Sequence, residues 1–359
     1  MTRLSNVLER VVIGATALAA FTLAGCSESP SSPSREVAPD GPSLSQSPDV
    51  IDPTGRHVFH TKTWFDNQSK DSKPGGGGTT TTNTGIYYHG GPVLQSATNV
   101  VTIYWSNRIL FVGGTALGDH GASSKDGSLV GDFLRRLGGS SYFNINSTYT
   151  DGQKSIANIV NYTATWANND QSAPSGTQSV SDADMLAMLQ NGLQNQLIPN
   201  TPNTLYAIFT DSTVNLGGGY TSPPQYCAYH SSGAVTVNGV QQTVLYAAMP
   251  YNGAYPAYCT SGYKPANGSR DSGADYEVNT LAHETEETTT DPLGTAWWDH
   301  RGYENADKCA WTWGTTFASN GGTANVTMSG VSNSGLTPMN FLIQRNWLNS
   351  GSGGCAQSH

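Results

Sequence analysis

The sequence predicts one α/β or α+β domain with a mixed β-sheet, and two kinds of segment support this. Three runs rich in β-branched and aromatic residues are bounded by turn residues and indicate largely buried strands: NVVTIYW (99–105), TLYAIFT (204–210) and TVLYAAMPY (243–251). GSLVGDFLRRLG (127–138) and SDADMLAMLQNGLQNQL (181–197) instead repeat apolar residues at helical spacing. Strands that alternate with helices favour an α/β or α+β architecture.

The first 26 residues resemble a bacterial lipoprotein signal peptide. MTRLSNVLER carries positive charge, VVIGATALAAFTLA is apolar but short for a membrane span, and LAGC ends at Cys26. In this pattern the cysteine is acylated and becomes the new N-terminus; an ordinary secretory signal is the alternative. Either signal implies export. We expect a lipid anchor at Cys26 that holds the protein on the bacterial cell envelope, and Ser27 favours the outer membrane or cell surface.

Residues 27–85 are predicted to be a disordered tether. The segment 27–49 is rich in Ser and Pro and has little to bury, and KPGGGGTTTTNTG (73–85) is a second linker. The short island GRHVFHTKTWF (55–65) is placed within this tether. The folded, loop-rich domain is therefore expected over residues 86–359.

The charge of the chain argues against two classes of partner. A formal charge of -9, with only 17 Lys and Arg, argues against nucleic acid and against adhesion to anionic lipid headgroups. Only 12% of the residues are charged, which is typical of exported, loop-rich proteins that contain β-structure.

Four cysteines remain after Cys26, and export favours their oxidation. They allow three pairings, of which the shorter loops favour Cys227 with Cys259 and Cys309 with Cys355. A zinc site made of cysteines is the competing interpretation, but the chain has no CxxC spacing.

The stretch LAHETEETTTDP (281–292) holds the main candidate site. At about 100° per residue of a helix, His283 and Glu287 lie one turn apart, opposite the apolar stripe. Such a pair can reach one metal ion, and Glu284 at the edge of that face could be the general base toward a metal-bound water. The alternative is a solvated acidic face with an ion pair worth roughly a few tenths of a kcal/mol.

The later stretch ENADKC (304–309) offers a third ligand. Glu304 and Asp307 follow the helix at about the distance at which gluzincin-type proteases place a glutamate ligand. We therefore expect a zincin-like domain with a central HExxE helix and one zinc ion held by His283, Glu287 and either Glu304 or Asp307. His300 is an alternative ligand, although a loop histidine is expected at the surface.

Three other polar residues are expected to be structural. Asp291 precedes Pro292 and closes the turn that ends the helix. His89 lies in a tight HGGP turn. His230, beside Cys227, is interpreted as structural, with a substrate contact as its alternative.

Five features occur in the order found in the plant EXORDIUM, or phosphate-induced protein, family and its bacterial relatives. They are YYHGGPVLQSATNVVTIYWSN (87–107), YCAYH (226–230), LAHETEETTTDPLGTAWWD (281–299), ENADKC (304–309) and Cys355. The chain resembles this family over nearly the whole domain, most specifically in YHGGPVL. The residues that match the family's motif positions are His283, Glu284, Glu287, Asp291, Glu304 and Asp307.

The resemblance implies an extracellular or wall-associated protein of a family linked in plants to cell expansion. Plant members usually carry more cysteines near the segments of Cys227 and Cys259, and they lack a lipid anchor. These differences are consistent with one disulfide in place of two and with a bacterial surface.

Two functions agree with these features. The first is a zinc-dependent peptidase or related hydrolase acting on peptide or cell-wall material, in which Glu284 takes a proton from water. The second is a non-catalytic cell-wall or carbohydrate-binding protein on the same scaffold. Two anionic ligands leave Zn²⁺ less Lewis-acidic than two neutral imidazoles would, which favours the second function slightly.

Overall fold

The computed structural model describes residues 56–71, 85–332 and 334–359. The predicted signal peptide, Cys26 and most of the predicted tether lie outside the described residues. Within the described ranges, no helix has both the length and the apolar character needed to cross a bilayer.

The chain forms five α-helices within the described residues. They are α1 (Lys62–Asp71), α2 (Leu129–Leu137), α3 (Asp182–Gln194), α4 (Pro256–Cys259) and α5 (Gly268–Thr290). Short 3-10 helices cover Ser123–Lys125, Phe143–Thr148, Asn252–Ala254 and Asp307–Cys309.

The same part of the chain forms seventeen strands, many of them very short. They are β1 (His57–His60), β2 (Tyr87–Tyr88), β3 (Thr98–Tyr104), β4 (His120–Ala122), β5 (Val160–Trp166), β6 (Ser179–Val180), β7 (Thr204–Phe209), β8 (Asn215–Leu216), β9 (Tyr226–Val237), β10 (Val240–Met249), β11 (Trp297–Trp298), β12 (Phe317–Ser319), β13 (Gly322–Ala324), β14 (Val326–Met328), β15 (Met339–Phe341), β16 (Asn346–Leu348) and β17 (Gly354–Ala356).

One seven-stranded mixed sheet organises the domain, in the order β1-β9-β10-β7-β3-β5-β4. The central strands β5, β3, β7 and β10 are parallel to one another, whereas β4 pairs antiparallel with β5 at one side, and β9 and then β1 join antiparallel at the other. The remaining strands form two-stranded pairs in the long loops.

Helices cover both faces of this sheet. Leu205 and Phe209 of β7 point into a core shared with α2 and α5, while Tyr206 and Ile208 point into a second core shared with α3. This alternation is the period of two that a strand buried on both faces shows. The α/β class with a large mixed sheet is therefore confirmed.

The three predicted strands correspond to β3, β7 and β10, and the two predicted helices to α2 and α3. The start of α3 is a capping box: Ser181 Oγ accepts from the Asp184 amide at 3.3 Å, and Asp184 Oδ2 accepts from the Ser181 amide at 2.8 Å. This reciprocal pair satisfies two backbone donors that a helix start leaves without partners.

The domain begins before residue 86, and the expected boundary is corrected on this point. Strand β1 pairs antiparallel with β9, with His57 opposite His230 and Val58 opposite Tyr229. Arg56 fixes its start, because the guanidinium donates to Asp182 at 2.8 Å and to the Gly217 carbonyl at 2.7 Å. Part of the predicted tether is thus an edge strand of the main sheet.

Both predicted disulfides are present. Cys227 is bonded to Cys259, and Cys309 to Cys355. The first bond joins the start of β9 to α4. The second joins the 3-10 helix at the end of the ENADKC segment to β17.

Candidate metal centre

The second half of α5 is buried on every side. Each residue from 277 to 291 is buried, including His283, Glu284 and Glu287. Val278 packs in the core beneath the sheet, while β1, β9 and the 304–309 segment contribute the residues that meet the polar face. The expected alternative of a solvated acidic face is therefore wrong, because a second set of segments covers that face.

His283, Glu287 and Asp307 form the first group that could hold a metal ion. His283 Nε2 lies 3.1 Å from Glu287 Oε1 and 3.5 Å from Asp307 Oδ1. Neither of these contacts has the geometry of a hydrogen bond. His283 Nε2 and Asp307 Oδ1 are both buried without a hydrogen-bond partner. Ligands of a tetrahedral zinc ion with bonds of about 2.0–2.1 Å lie roughly 3.3 Å apart, so this group fits such an ion.

His57, His230 and Glu304 form a second such group. The pairing of β1 with β9 brings the two imidazoles face to face, with ring centroids 4.8 Å apart. Glu304 Oε2 lies 2.7 Å from His57 Nδ1 and 3.6 Å from His230 Nε2. The second group has no residue in common with the first.

Glu284 lies between the two groups. Its Oε2 is 3.1 Å from His230 Nδ1, and Glu287 Oε2 approaches the same nitrogen to 3.6 Å. These three residues are a third combination that could hold an ion. Glu284 Oε1 is buried without a hydrogen-bond partner. The residue predicted to be a general base therefore lies inside the cluster and contacts His230.

The two predicted third ligands separate in the structure. Asp307 joins His283 and Glu287, whereas Glu304 joins the two histidines of the sheet. The backbone also ties these segments together, because the Asp307 amide donates to Glu287 Oε1 at 2.9 Å.

The remaining candidate residues of the sequence lie outside the three groups that could hold an ion. His300 is exposed in a turn, as a surface histidine should be. Asp291 Oδ1 accepts from the amides of Thr295 and Ala296 at 2.6 and 2.8 Å, which is the turn-closing role expected of it. His89 stacks on the Trp298 ring with a centroid distance of 3.6 Å.

Sequence reasoning missed His57 and treated His230 as structural. The alternation in HVFH is a signal that could have found β1, because His57 and Phe59 share one face of a strand. Phe59 is fully buried and stacks on the His283 ring at 3.8 Å. For His230, the signal was its place at the end of the buried run YCAYH.

Burial and mutual repulsion dominate the electrostatics of the cluster. Burial raises the pKa of Glu287 to about 7, with a further rise from the Asp307 charge. Burial likewise raises the pKa values of Glu284 and Glu304 well above the usual range. Without a cation, these carboxyl groups are driven toward their neutral forms.

The histidines shift in opposite directions. Burial, and then the nearby His57 and His283, lower the pKa of His230 well below its usual value. Burial also acts to lower the pKa of His283, but the Glu287 charge and contacts with Asp307 reverse this and raise it well above its usual value.

The segment that carries Glu304 and Asp307 is held from several sides. Lys308 Nζ lies 2.9 Å from Asp299 Oδ2, and this carboxylate also accepts from the Tyr303 amide through Oδ1 at 3.1 Å. The disulfide at Cys309 follows directly. Ligands on a segment fixed in this way need little further ordering to bind an ion.

Two clefts of the described surface lie away from the cluster. One, of about 400 Å³, lies between Trp105 and Met188, and another, of about 480 Å³, is lined by Leu94, Tyr206 and Leu293 among others. No residue of the groups that could hold a metal ion lines them. A substrate would have to reach the cluster by another route.

Comparisons of the chain with family profiles, with curated proteins and with solved structures find no match. The resemblance to the EXORDIUM family therefore stays a prediction from the motifs.

Proposed function

We propose that this protein is an exported metalloprotein in which a zinc ion, held by His283, Glu287 and Asp307, stabilises the domain. The observation that carries the proposal is the burial of three ligand side chains among which His283 Nε2 and Asp307 Oδ1 face each other at 3.5 Å, each without a hydrogen-bond partner. Two groups that both present lone pairs at about 3 Å repel unless a proton or a cation lies between them.

The charge of the cluster supports a cation over protons alone. Four carboxylates, Glu284, Glu287, Glu304 and Asp307, lie in the groups that could hold an ion. An uncompensated buried ion costs several kcal/mol even after relaxation. A divalent cation removes that cost without requiring every carboxyl to be protonated at neutral pH.

The cellular setting is part of the same proposal. A signal that ends at Cys26 and a lipid anchor would place the domain on the bacterial surface, where the two disulfides can persist. The zincin-like assignment rests on His283, Glu284 and Glu287 in one helix with a downstream acidic ligand. Membership of the EXORDIUM family rests on the motif order.

A zinc-dependent hydrolase is the second candidate, and the unpartnered Glu284 Oε1 favours it. Zinc bound there would supply Lewis acidity, which lowers the pKa of water and polarises an acyl carbonyl group through its oxygen. Glu284 would accept the proton from that water. Full burial of the cluster, and clefts that lie elsewhere, favour the stabilising role over this one.

The test is metal content and stability, measured on the protein isolated from its native compartment. We expect a stoichiometric metal by mass spectrometry, and a melting temperature that falls on chelation and recovers with zinc. His283→Ala should lose this metal, and its free energy of unfolding should fall by about 3 kcal/mol or more. The buried carboxylates of the group lose their partner, and metal binding no longer stabilises the folded state.

His300→Ala is the matched control, since this histidine is exposed; it should keep both metal and stability. Glu284→Gln separates the two candidates: it should keep the metal and end any peptide hydrolysis, because an amide cannot take the proton. A protein that contains no metal, takes up none on titration and tolerates His283→Ala unchanged would refute the proposal.

A further inference from the structure

We propose that His57, His230 and Glu304 form a second metal position, which takes a divalent transition ion of the zinc type. It does not depend on the first position, because the two ligand sets share no residue. Two imidazoles and one carboxylate are the donor set of many zinc and iron sites and are poorly suited to Ca²⁺ or Mg²⁺, which prefer all-oxygen ligands.

The three side chains converge on one position that an ion could take, because their ligand atoms lie within 4.8 Å of one another. Glu304 Oε2 lies 2.7 Å from His57 Nδ1 and 3.6 Å from His230 Nε2. The second value is close to the roughly 3.3 Å expected between ligands of a tetrahedral zinc ion, whereas the first is a hydrogen bond that would have to lengthen when an ion replaces its proton. His230 and Glu304 are each 1% exposed, so bulk water does not solvate the atoms between them.

Hydrogen bonds engage some of the ligand atoms and leave others without a partner. His57 Nδ1 and Glu304 Oε2 are hydrogen-bonded to each other at 2.7 Å, and a bound ion would replace the proton between them. His230 Nδ1 faces Glu284 Oε2 at 3.1 Å, whereas His230 Nε2 and Glu304 Oε1 have no hydrogen-bond partner. When Nδ1 carries the proton and donates to Glu284, Nε2 presents a lone pair to Glu304. A carboxylate on the far nitrogen of a ligating histidine commonly holds the ring in its metal-binding tautomer, and Glu284 has that relation to His230.

The charge balance supports two ions in the cluster. If the proposed first position is filled and all four buried carboxyl groups are ionised, one divalent ion compensates only half of their charge. A second divalent ion supplies the other two positive charges. The two positions are neighbours, because Glu287 contacts His283 through Oε1 and approaches His230 through Oε2.

The second position would also fasten the N-terminal strand. His57 belongs to β1, an edge strand of four residues that pairs only with β9 among the described strands. The other two ligands belong to β9 and to the 304–309 segment. An ion bound here would therefore link three segments that are far apart in sequence.

The experiment measures zinc stoichiometry and affinity in the mature protein by titration after chelation, with folding checked by circular dichroism. We expect two equivalents of zinc in the unchanged protein. His57→Ala should bind one, as should His283→Ala, and the double variant none. Glu304→Gln, which keeps the shape of the side chain, should weaken the second equivalent by roughly 10-fold or more. Ca²⁺ at the same concentrations should not occupy this position.

The outcomes separate this inference from the proposed function. One equivalent that is lost in His283→Ala and kept in both His57→Ala and Glu304→Gln overturns the second position and leaves the first intact. One equivalent that is lost in His57→Ala and kept in His283→Ala supports the second position and overturns the first. Two equivalents that survive both His57→Ala and Glu304→Gln would also overturn the inference. His300→Ala serves as the control for loss of a histidine.

Discussion

Replacing Phe59 tests whether β1 belongs to the folded domain. The Phe59 ring is 0% exposed and stacks between His283, at 3.8 Å, and Trp311, at 4.7 Å. Truncation of a fully buried phenylalanine to alanine costs about 3–5 kcal/mol through lost transfer free energy and the cavity that remains. We therefore expect Phe59→Ala to lower the free energy of unfolding by that amount.

The assay is urea unfolding, followed by tryptophan fluorescence and far-ultraviolet circular dichroism. Phe317→Ala is the control, because this ring is 41% exposed on β12 and should cost less than about 1 kcal/mol. Phe59→Ala should also weaken zinc binding, since the ring supports one side of the His283 imidazole. An unfolding free energy within about 0.5 kcal/mol of the unchanged protein would mean that β1 does not pack as described.

Three further predictions concern pH, the disulfides and the anchor. After chelation, the free energy of unfolding should fall as pH rises from about 5 to 8. Burial raises the pKa of both Glu287 and Asp291 to about 7. The folded state therefore binds more protons than the unfolded state over this range, and its stability falls as those protons are lost. The raised pKa of His283 acts in the same direction, and the lowered pKa of His230 opposes it. A melting temperature that rises steadily toward about pH 8 would contradict the prediction. Replacing either disulfide with a pair of serines should cost roughly 4 kcal/mol, given sequence separations of 32 and 46 residues, and equal urea midpoints for these variants and the unchanged protein would count against it. Cys26→Ala should move the protein from the membrane fraction to the soluble fraction, and continued recovery with detergent-soluble material would refute the anchor.

Local patterns predicted the parts of the fold that depend on local chemistry. The strands around 99–105 and 204–210 are runs of β-branched and aromatic residues, and α3 begins with a capping box that can be read from the sequence. The disulfides followed from loop length alone. None of these predictions required knowledge of which distant segments meet.

The two omissions in the site have one physical cause. Strand β1 is short and lies between linker-like segments, and its burial depends on pairing with β9, more than 160 residues away in the chain. Only that pairing brings His57 next to His230. Likewise, the helical wheel located His283 and Glu287 on the face away from the apolar stripe, but composition could not show that other segments bury this face.

The positions of the cysteines have a consequence for when the proposed metal positions could be filled. Cys227 lies three residues before His230 and Cys309 two residues after Asp307, so each disulfide restrains the backbone beside a residue of the proposed metal positions. In a reducing cytoplasm both restraints are absent, and the chain must order these segments at the expense of binding free energy. We expect export and oxidation to precede stable metal loading, so the compartment that forms the disulfides would also decide which ion the protein receives. Zinc affinity that is equal in the reduced and oxidised proteins would exclude this order of maturation.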